Sequence, residues 1–208
     1  MPPRSVRQRR AWAADNPGNR AIRVEAGEAL VGLTPDAARP GTRVLDAGCG
    51  TGWWLRQLAA RRGTGDGLHG IDRDPVRVAA ARLPGADVRT GDLRALPWPD
   101  SHFDVAFLLT VLSSLGDRSA VAAAAAELRR VLAAGGVVAV WEPRVPTPNR
   151  ATRLIRPTEL APALGPPVAS RTLTVVPPLA RRLGFAAYGR LARVPWLRTH
   201  AVTVYRPS

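Results

Sequence analysis

Val44-Leu45-Asp46-Ala47-Gly48-Cys49-Gly50-Thr51-Gly52 stands between a short apolar run and the helical pattern Trp53–Arg62. Three alternate glycines let the chain turn sharply and let a ligand approach the backbone where a Cβ would collide. Such a pattern is weak evidence alone, because dinucleotide and phosphate sites use related ones. Two details discriminate. The spacing Gly48-x-Gly50-x-Gly52 differs from the dinucleotide G-x-G-x-x-G, and an acid, Asp46, ends the strand. A phosphate cradle has no use for a carboxylate there, whereas a ligand bearing an amino group does. The P-loop lysine is missing as well.

Outward from this turn, short apolar runs alternate with helical stretches between residues 43 and 142, the pattern of a parallel sheet wrapped by helices. Strands are predicted at Arg43–Asp46, Leu68–Asp72, Ala86–Arg89, Phe103–Leu109 and Val137–Glu142. In the helix Trp53–Arg62, residues Trp54, Leu55, Leu58 and Ala59 share a face. Pro75 suits the first turn of a second helix. Asp117 or Ser119 caps a third that runs to Leu132, with Val121, Leu128 and Leu132 inward and Gly135-Gly136 ending it. Residues 1–42 read as one or two helices outside the sheet, with Pro40-Gly41 turning into strand one. A short helix is expected near Thr158–Leu164, and final strands at Arg171–Val176 and Ala201–Arg206.

At 208 residues and 22.2 kDa, with 46% apolar and 22% charged residues, the composition is that of one soluble globular domain. No uncharged apolar run approaches ~18 residues, and no apolar segment follows the arginine-rich start, so neither a spanning helix nor a secretory signal is read. A cytoplasmic location is the expectation. The single Cys49 permits no internal disulfide and no multi-cysteine zinc site, and it reads as a small filler in the turn. The net charge is +14, and all 30 basic residues are arginine. With abundant Ala, Gly and Pro, that fits codon drift in a GC-rich genome. Its distribution does not. Residues 1–140 carry 19 arginines against 14 acids, whereas residues 141–208 carry 11 against Glu142 and Glu159 alone. A field of this sign favours an anionic partner near the C-terminal third.

Further acids follow at strand tips. Gly70-Ile71-Asp72 puts one at the end of strand two, twenty residues past Gly52, where a carboxylate can accept both ribose hydroxyls of a nucleoside lying over the glycine turn. Gly91-Asp92-Leu93 offers a third, able to accept from an adenine amino group, and Phe103-Asp104-Val105 leads strand four. Singly, Asp46 or Asp72 reads as a helix cap or loop acid, and Asp92 as an ordinary turn. Asp104 reads as structural. Jointly, three acids at successive strand tips beside a glycine turn point to a nucleoside-bearing ligand.

These four motifs, in this order over roughly residues 40–142, resemble the class I S-adenosylmethionine-dependent methyltransferases, particularly the group that includes quinone-biosynthesis methyltransferases. The resemblance implies a Rossmann-like, seven-stranded mixed α/β sheet, its last strand antiparallel, with helices on both faces. It implies S-adenosylmethionine as cofactor, with Asp46, Gly48 and Gly50 on the methionine side, Asp72 on the ribose and Arg73 packed by the adenine. Asp92 and Leu93 would meet the adenine edge, and Leu109 would flank the sulfonium. Arg73 replaces the apolar residue more usual at its position. The implied organisation is one domain: an N-terminal helical segment 1–42, a cofactor-binding core 43–142 and a substrate-side region 143–208.

Open α/β sheets bind ligands beyond the carboxyl ends of their strands. Strand four ends into Thr110, Ser113 and Ser114, strand five into Glu142, Pro143 and Arg144, and the start of an antiparallel last strand brings His200 to the same edge. Glu142 and His200 are therefore the candidate catalytic residues, His200 first as a general base because imidazole titrates near neutral pH. The plainer reading of His200 is a hydrogen bond at the strand's entry. His69 and His102 read as solvated. The long connection 177–199 carries Arg181, Arg182, Arg190, Arg193 and Arg198 and no acid, and is expected to form a lid over the acceptor; the plainer alternative is an outside helix with a solvated basic face. No metal-ligand spacing appears. The expected acceptor is a small molecule methylated on oxygen, and an anionic portion would account for the arginines. Residues 177–183 and 197–200 resemble bacterial methyltransferases associated with glycans or secondary metabolites, which implies a glycan, lipid-linked compound or secondary metabolite. Contact with a membrane surface is compatible with the same charge. Two other readings are an RNA methyltransferase, suggested by charge alone, and a partner subunit that binds cofactor without catalysis.

Overall fold

In a computed structural model, residues 16–146, 152–183 and 185–207 are described. Asn16 opens α1 (Pro17–Leu33): its side chain accepts the N–H groups of Gly18 and Asn19, and Pro17 occupies the first turn, where no N–H is needed. A 3₁₀ turn, Pro35–Ala38, leads into β1 (Val44–Ala47). Then come α2 (Trp53–Arg62), β2 (Leu68–Asp72), α3 (Pro75–Ala81), β3 (Asp87–Thr90) and β4 (Phe103–Leu109). The remainder is α4 (Arg118–Val131), β5 (Leu132–Pro143), α5 (Pro157–Leu164), β6 (Pro167–Val175), α6 (Pro177–Ala180), α7 (Phe185–Leu191) and β7 (Arg198–Tyr205). The part of the expected N-terminal segment before Asn16 lies outside the described residues.

The sheet has seven strands in the order β3-β2-β1-β4-β5-β7-β6. β1 to β5 run parallel, and β7 is antiparallel to both β5 and β6. This is the expected mixed sheet. It follows that β6 runs with β1 to β5, so the segment leaving Val175 departs from their carboxyl edge.

Each face buries its own core. Val44, Val105, Phe107, Ala139, Trp141, Val202 and Val204 pack with Ile22, Ala26 and Leu30 of α1 and with Trp54, Leu55 and Leu58 of α2. On the other face Leu45, Ala106, Leu108, Val138 and Val140 meet Val121, Leu128 and Val131 of α4 and Leu160 and Leu164 of α5. The face of α2 expected from its spacing is thus the buried one. At the helix's end the buried Arg62 donates to the carbonyls of Ala37, Thr42 and Asp66, holding the entry to β1 against the exit from α2. Asp104 is structural as read, accepting the N–H of Arg43 at 2.8 Å.

Three expectations need correction. Gly135-Gly136 does not end α4. Asp117 caps that helix, which stops at Val131; Leu132 is already extended and pairs with Phe103, so β5 begins five residues early and runs through the glycines. β6 begins at Pro167, not Arg171, and β7 begins at Arg198, because pairing with one another extends both. His69 is not solvated: it sits in an aromatic cluster, 5.0 Å from the Phe103 ring and 5.9 Å from Trp98, with Nδ1 3.4 Å from Asp87 Oδ2.

Candidate cofactor and acceptor site

The turn after β1 is shaped by its glycines. Gly48 has φ +84°, and a Cβ there would lie 2.5 Å from Val111 Cγ2, so the turn packs directly on the loop that follows β4. The N–H groups of Gly48 and Cys49 both donate to Ile71 O, at 2.7 and 2.9 Å, which fixes the turn to β2. Cys49 is buried, and burial pushes its thiol far up, so it is the inert filler expected.

Two acids meet beneath the turn. Asp46 is 2% exposed, and no hydrogen bond offsets the effect of its burial. Burial raises it to about 7, with the neighbouring Asp72 adding to the rise. Asp72 Oδ2 accepts the N–H of Gly50 at 3.0 Å and Oδ1 that of Asp74 at 3.0 Å. Each carboxylate oxygen offers about two acceptor sites, so Asp72 keeps roughly one per oxygen for a pair of hydroxyls. Above Gly50, a Cβ would find nothing within 4 Å. A buried acid for an ammonium, a half-used acid for a diol and open space over the turn fit S-adenosylmethionine.

Beyond β3, where the sequence reading expects the adenine, the arrangement is looser. Asp92 is half exposed and held by Arg94, whose guanidinium and backbone N–H pull it down to about 2. Arg73 is exposed, and its charge also acts on Asp92. Leu93 is buried in the core under α4.

The loop after β4 stands at the same edge of the sheet, where the sequence reading expects the acceptor. Leu109 ends that strand, and Thr110 takes φ +59°, a conformation costing roughly 1–3 kcal/mol outside glycine. Its N–H is fixed to Trp141 O at 2.7 Å. Glu142 Oε1 accepts the N–H of Ser113 at 3.3 Å, and the nearby backbone of Val111 and Leu112 also favours its ionised form. Burial nonetheless lifts Glu142 to about 7, and its Oε2 has no partner among the described residues. Glu142 thus holds the loop whose Val111 rests on Gly48.

His200 lies at the same edge of the sheet but on its other face. In register, Trp141 faces Val202 and Pro143 faces His200. Paired residues share a face and neighbours alternate, so Glu142 and His200 point to opposite faces of the sheet. The His200 ring is 5.9 Å from Trp141, and its Nδ1 is 3.0 Å from Thr199 Oγ1. Burial lowers it to about 4, so it is neutral at pH 7 and far weaker as a base than ordinary imidazole.

The 177–199 connection is anchored rather than loose. Ala180 and Tyr188 are buried against α1, and the Tyr188 hydroxyl donates to Glu25 Oε2 at 2.6 Å. Asn16 Nδ2 donates to Arg181 O at 3.3 Å. Among the described residues no cluster of His, Cys, Asp and Glu could hold a metal ion, and no helix is long and apolar enough to cross a membrane.

What the residue pattern missed is Val111, the side chain joining the two loops, and the unpartnered indole N–H of the buried Trp141 beside His200. Neither carries a sequence signal, since both read as ordinary apolar residues.

Residues 44–136 match the family described as "Methyltransferase domain". A malonyl-[acyl-carrier protein] O-methyltransferase of Serratia marcescens is 35% identical over 120 residues, 57% of this chain and 44% of that one. A ubiquinone/menaquinone biosynthesis C-methyltransferase of Cupriavidus necator is 39% identical over 110 residues, 50% of this chain and 44% of that one. The matches thus span under half the length of these relatives. In fold, geranyl diphosphate C-methyltransferase of Streptomyces coelicolor A3(2), crystallised with S-adenosyl-L-homocysteine, gives a TM-score of 0.65 at 15% identity, covering 89% of this chain and 78% of that one. The [4+2]-cyclase SpnF gives 0.63 at 22% identity over 88% and 81%, so the fold also carries other chemistry. Through residues 44–136, the chain is similar to S-adenosylmethionine-dependent methyltransferases, and its fold is theirs.

Proposed function

We propose that this chain transfers a methyl group from S-adenosylmethionine to an oxygen of a small-molecule acceptor, a glycan, lipid-linked compound or secondary metabolite. The observation that carries the reading is Asp46, a buried carboxylate at the glycine turn whose burial no hydrogen bond offsets. When bound, the cofactor supplies an already activated methyl group, so the protein's work is alignment and exclusion of water, for which good orientation supplies roughly 7–11 kcal/mol of the barrier. Asp46 opposes the cofactor's ammonium, Asp72 takes the ribose, and Asp92 and Leu93 take the adenine edge beside Arg73. Leu109 and the loop Thr110–Ser113 wall the methyl end, with Glu142 as their support. His200, neutral, orients an acceptor hydroxyl by hydrogen bonding rather than by strong base catalysis. The arginine excess of residues 141–208 favours an acceptor with an anionic portion. The O-methyltransferase name of the Serratia marcescens relative supports oxygen, and the C-methyltransferase names of others keep carbon as the competing target.

Calorimetric titration with S-adenosylhomocysteine tests the cofactor half, with micromolar binding expected and Asp46→Ala weakening it at least ~tenfold. Transfer of labelled methyl from the cofactor across panels of hydroxylated, carboxylated and carrier-linked acceptors tests the other half. Cofactor binding without turnover on any panel would favour the non-catalytic partner subunit.

A further inference from the structure

We infer that the cap formed by residues 177–197 is a membrane-docking surface, with Trp196 seated at the headgroup boundary of an anionic bilayer. Trp196 is 82% exposed, and it is the single aromatic among the exposed large apolar side chains of the described residues. Pro195 beside it is exposed, as are Pro178 and Leu179. These two apolar tips are joined through Val176, whose N–H donates to Leu197 O at 3.0 Å and whose carbonyl accepts from Leu179 N at 2.9 Å. The cap is also stiff, because buried Ala180 and Tyr188 fasten it to α1. An indole held outward on an anchored turn leaves its apolar surface in water, and an interfacial layer that is apolar on one side and wet on the other relieves this.

Charge chooses the surface. Arg182, Arg190 and Arg193 are exposed in the same segment, and no acid occurs between Leu160 and Ser208, while Glu25 of α1, which touches the cap, accepts from the Tyr188 hydroxyl and the N–H of Thr174. An aromatic and apolar tip in a segment rich in cations suits a leaflet rich in anionic phospholipid. Single-stranded RNA would instead be served by several aromatics for successive bases, where this patch offers one, with proline and leucine for neighbours. Since β6 leads into the cap from the carboxyl edge of the sheet, docking would bring that edge to the lipid surface.

The test uses the whole chain with vesicles of phosphatidylcholine alone and of phosphatidylcholine mixed with phosphatidylglycerol. The chain should sediment with the mixed vesicles, less so as salt rises, and not with the neutral ones. Trp196→Ala and the pair Arg190→Gln/Arg193→Gln should each weaken binding by about tenfold or more without moving the melting temperature. Brominated acyl chains should quench tryptophan fluorescence in the parent and not in Trp196→Phe, an independent sign of insertion. Failure to bind mixed vesicles, or binding that Trp196→Ala leaves intact and unquenched, would overturn the inference. So would an RNA homopolymer that displaces the vesicles and depends on the same residues.

Discussion

Asp72 Oδ2 accepts the backbone N–H of Gly50 at 3.0 Å, tying the tip of β2 to the glycine turn after β1. Its other oxygen accepts Asp74 N, so one side chain shapes both loops of the cofactor cleft before any ligand arrives. Asp72→Ala removes both acceptors, and is expected to cost roughly 1–3 kcal/mol of stability and at least ~tenfold in S-adenosylhomocysteine affinity. Asp72→Asn keeps one accepting oxygen and should fall between. Melting curves and calorimetry on the two variants check the order; equal losses would contradict it.

Asp46 makes binding depend on pH. Its carboxyl is raised to about 7 in the folded chain, against 3.8 ordinarily, so folding favours its protonated form. The stability it contributes is full below about pH 4 and is lost as pH rises through 7. Cofactor binding runs the other way, because an ammonium selects the ionised form. Affinity for S-adenosylhomocysteine should therefore rise between pH 6 and 8, with release of a proton on binding near pH 6, and Asp46→Asn should flatten that rise while stabilising the ligand-free chain at pH 8. Calorimetry in two buffers of different ionisation heat reads the proton change.

Gly48 and Val111 are predicted to be energetically coupled. In Gly48→Ala the new methyl meets Val111 at 2.5 Å and the residue stays at φ +84°. The left-handed backbone alone costs roughly 1–2 kcal/mol. Val111→Ala removes the two nearest contacts, at 2.5 and 2.9 Å, and leaves the Cβ at 3.2 Å and the backbone term, so the double variant should melt above Gly48→Ala alone. A double-mutant cycle that closes without coupling would place the two loops apart.

For Glu142, two substitutions separate support from proton transfer. Gln at this position still accepts the loop's amide groups, so Glu142→Gln should keep turnover within a few-fold and preserve the pH profile, whereas Glu142→Ala should lose both stability and rate. A drop of about a hundredfold in Glu142→Gln with an intact fold would instead make this carboxyl a catalytic acid or base.

For His200, its fall to about 4 predicts no inflection in the rate profile from this residue above about pH 5. His200→Gln, which keeps hydrogen-bonding capacity, should retain activity within about tenfold, a smaller loss than removal of a general base gives.

Much of the core was legible because local signals agree there. The bounds of α2, β2 and β4 coincide with the sequence reading, since apolar runs of strand length are punctuated by glycine and proline. Asp46 and Asp72 stand out in the sequence for the same reason, each lying at the end of such a run, whereas Asp92 follows Gly91 after the polar pair Arg89-Thr90. The start of β5 was hidden, because Gly135-Gly136 mimics a helix stop while Leu132 is already captured by Phe103 across the sheet. The start of β6 was hidden too, since a proline speaks against a strand until Tyr205 pairs with it at the edge.

Sequence alone determined the order of elements, the glycine turn and the carboxylates around it, for these depend on neighbours within a few residues. Only tertiary structure decided that Glu142 supports the Val111–Ser113 loop while His200 faces the opposite side, neutral beside Trp141. The two stand one register step apart across β5 and β7, and alternation along a strand turns that single step into opposite faces and separate chemical roles.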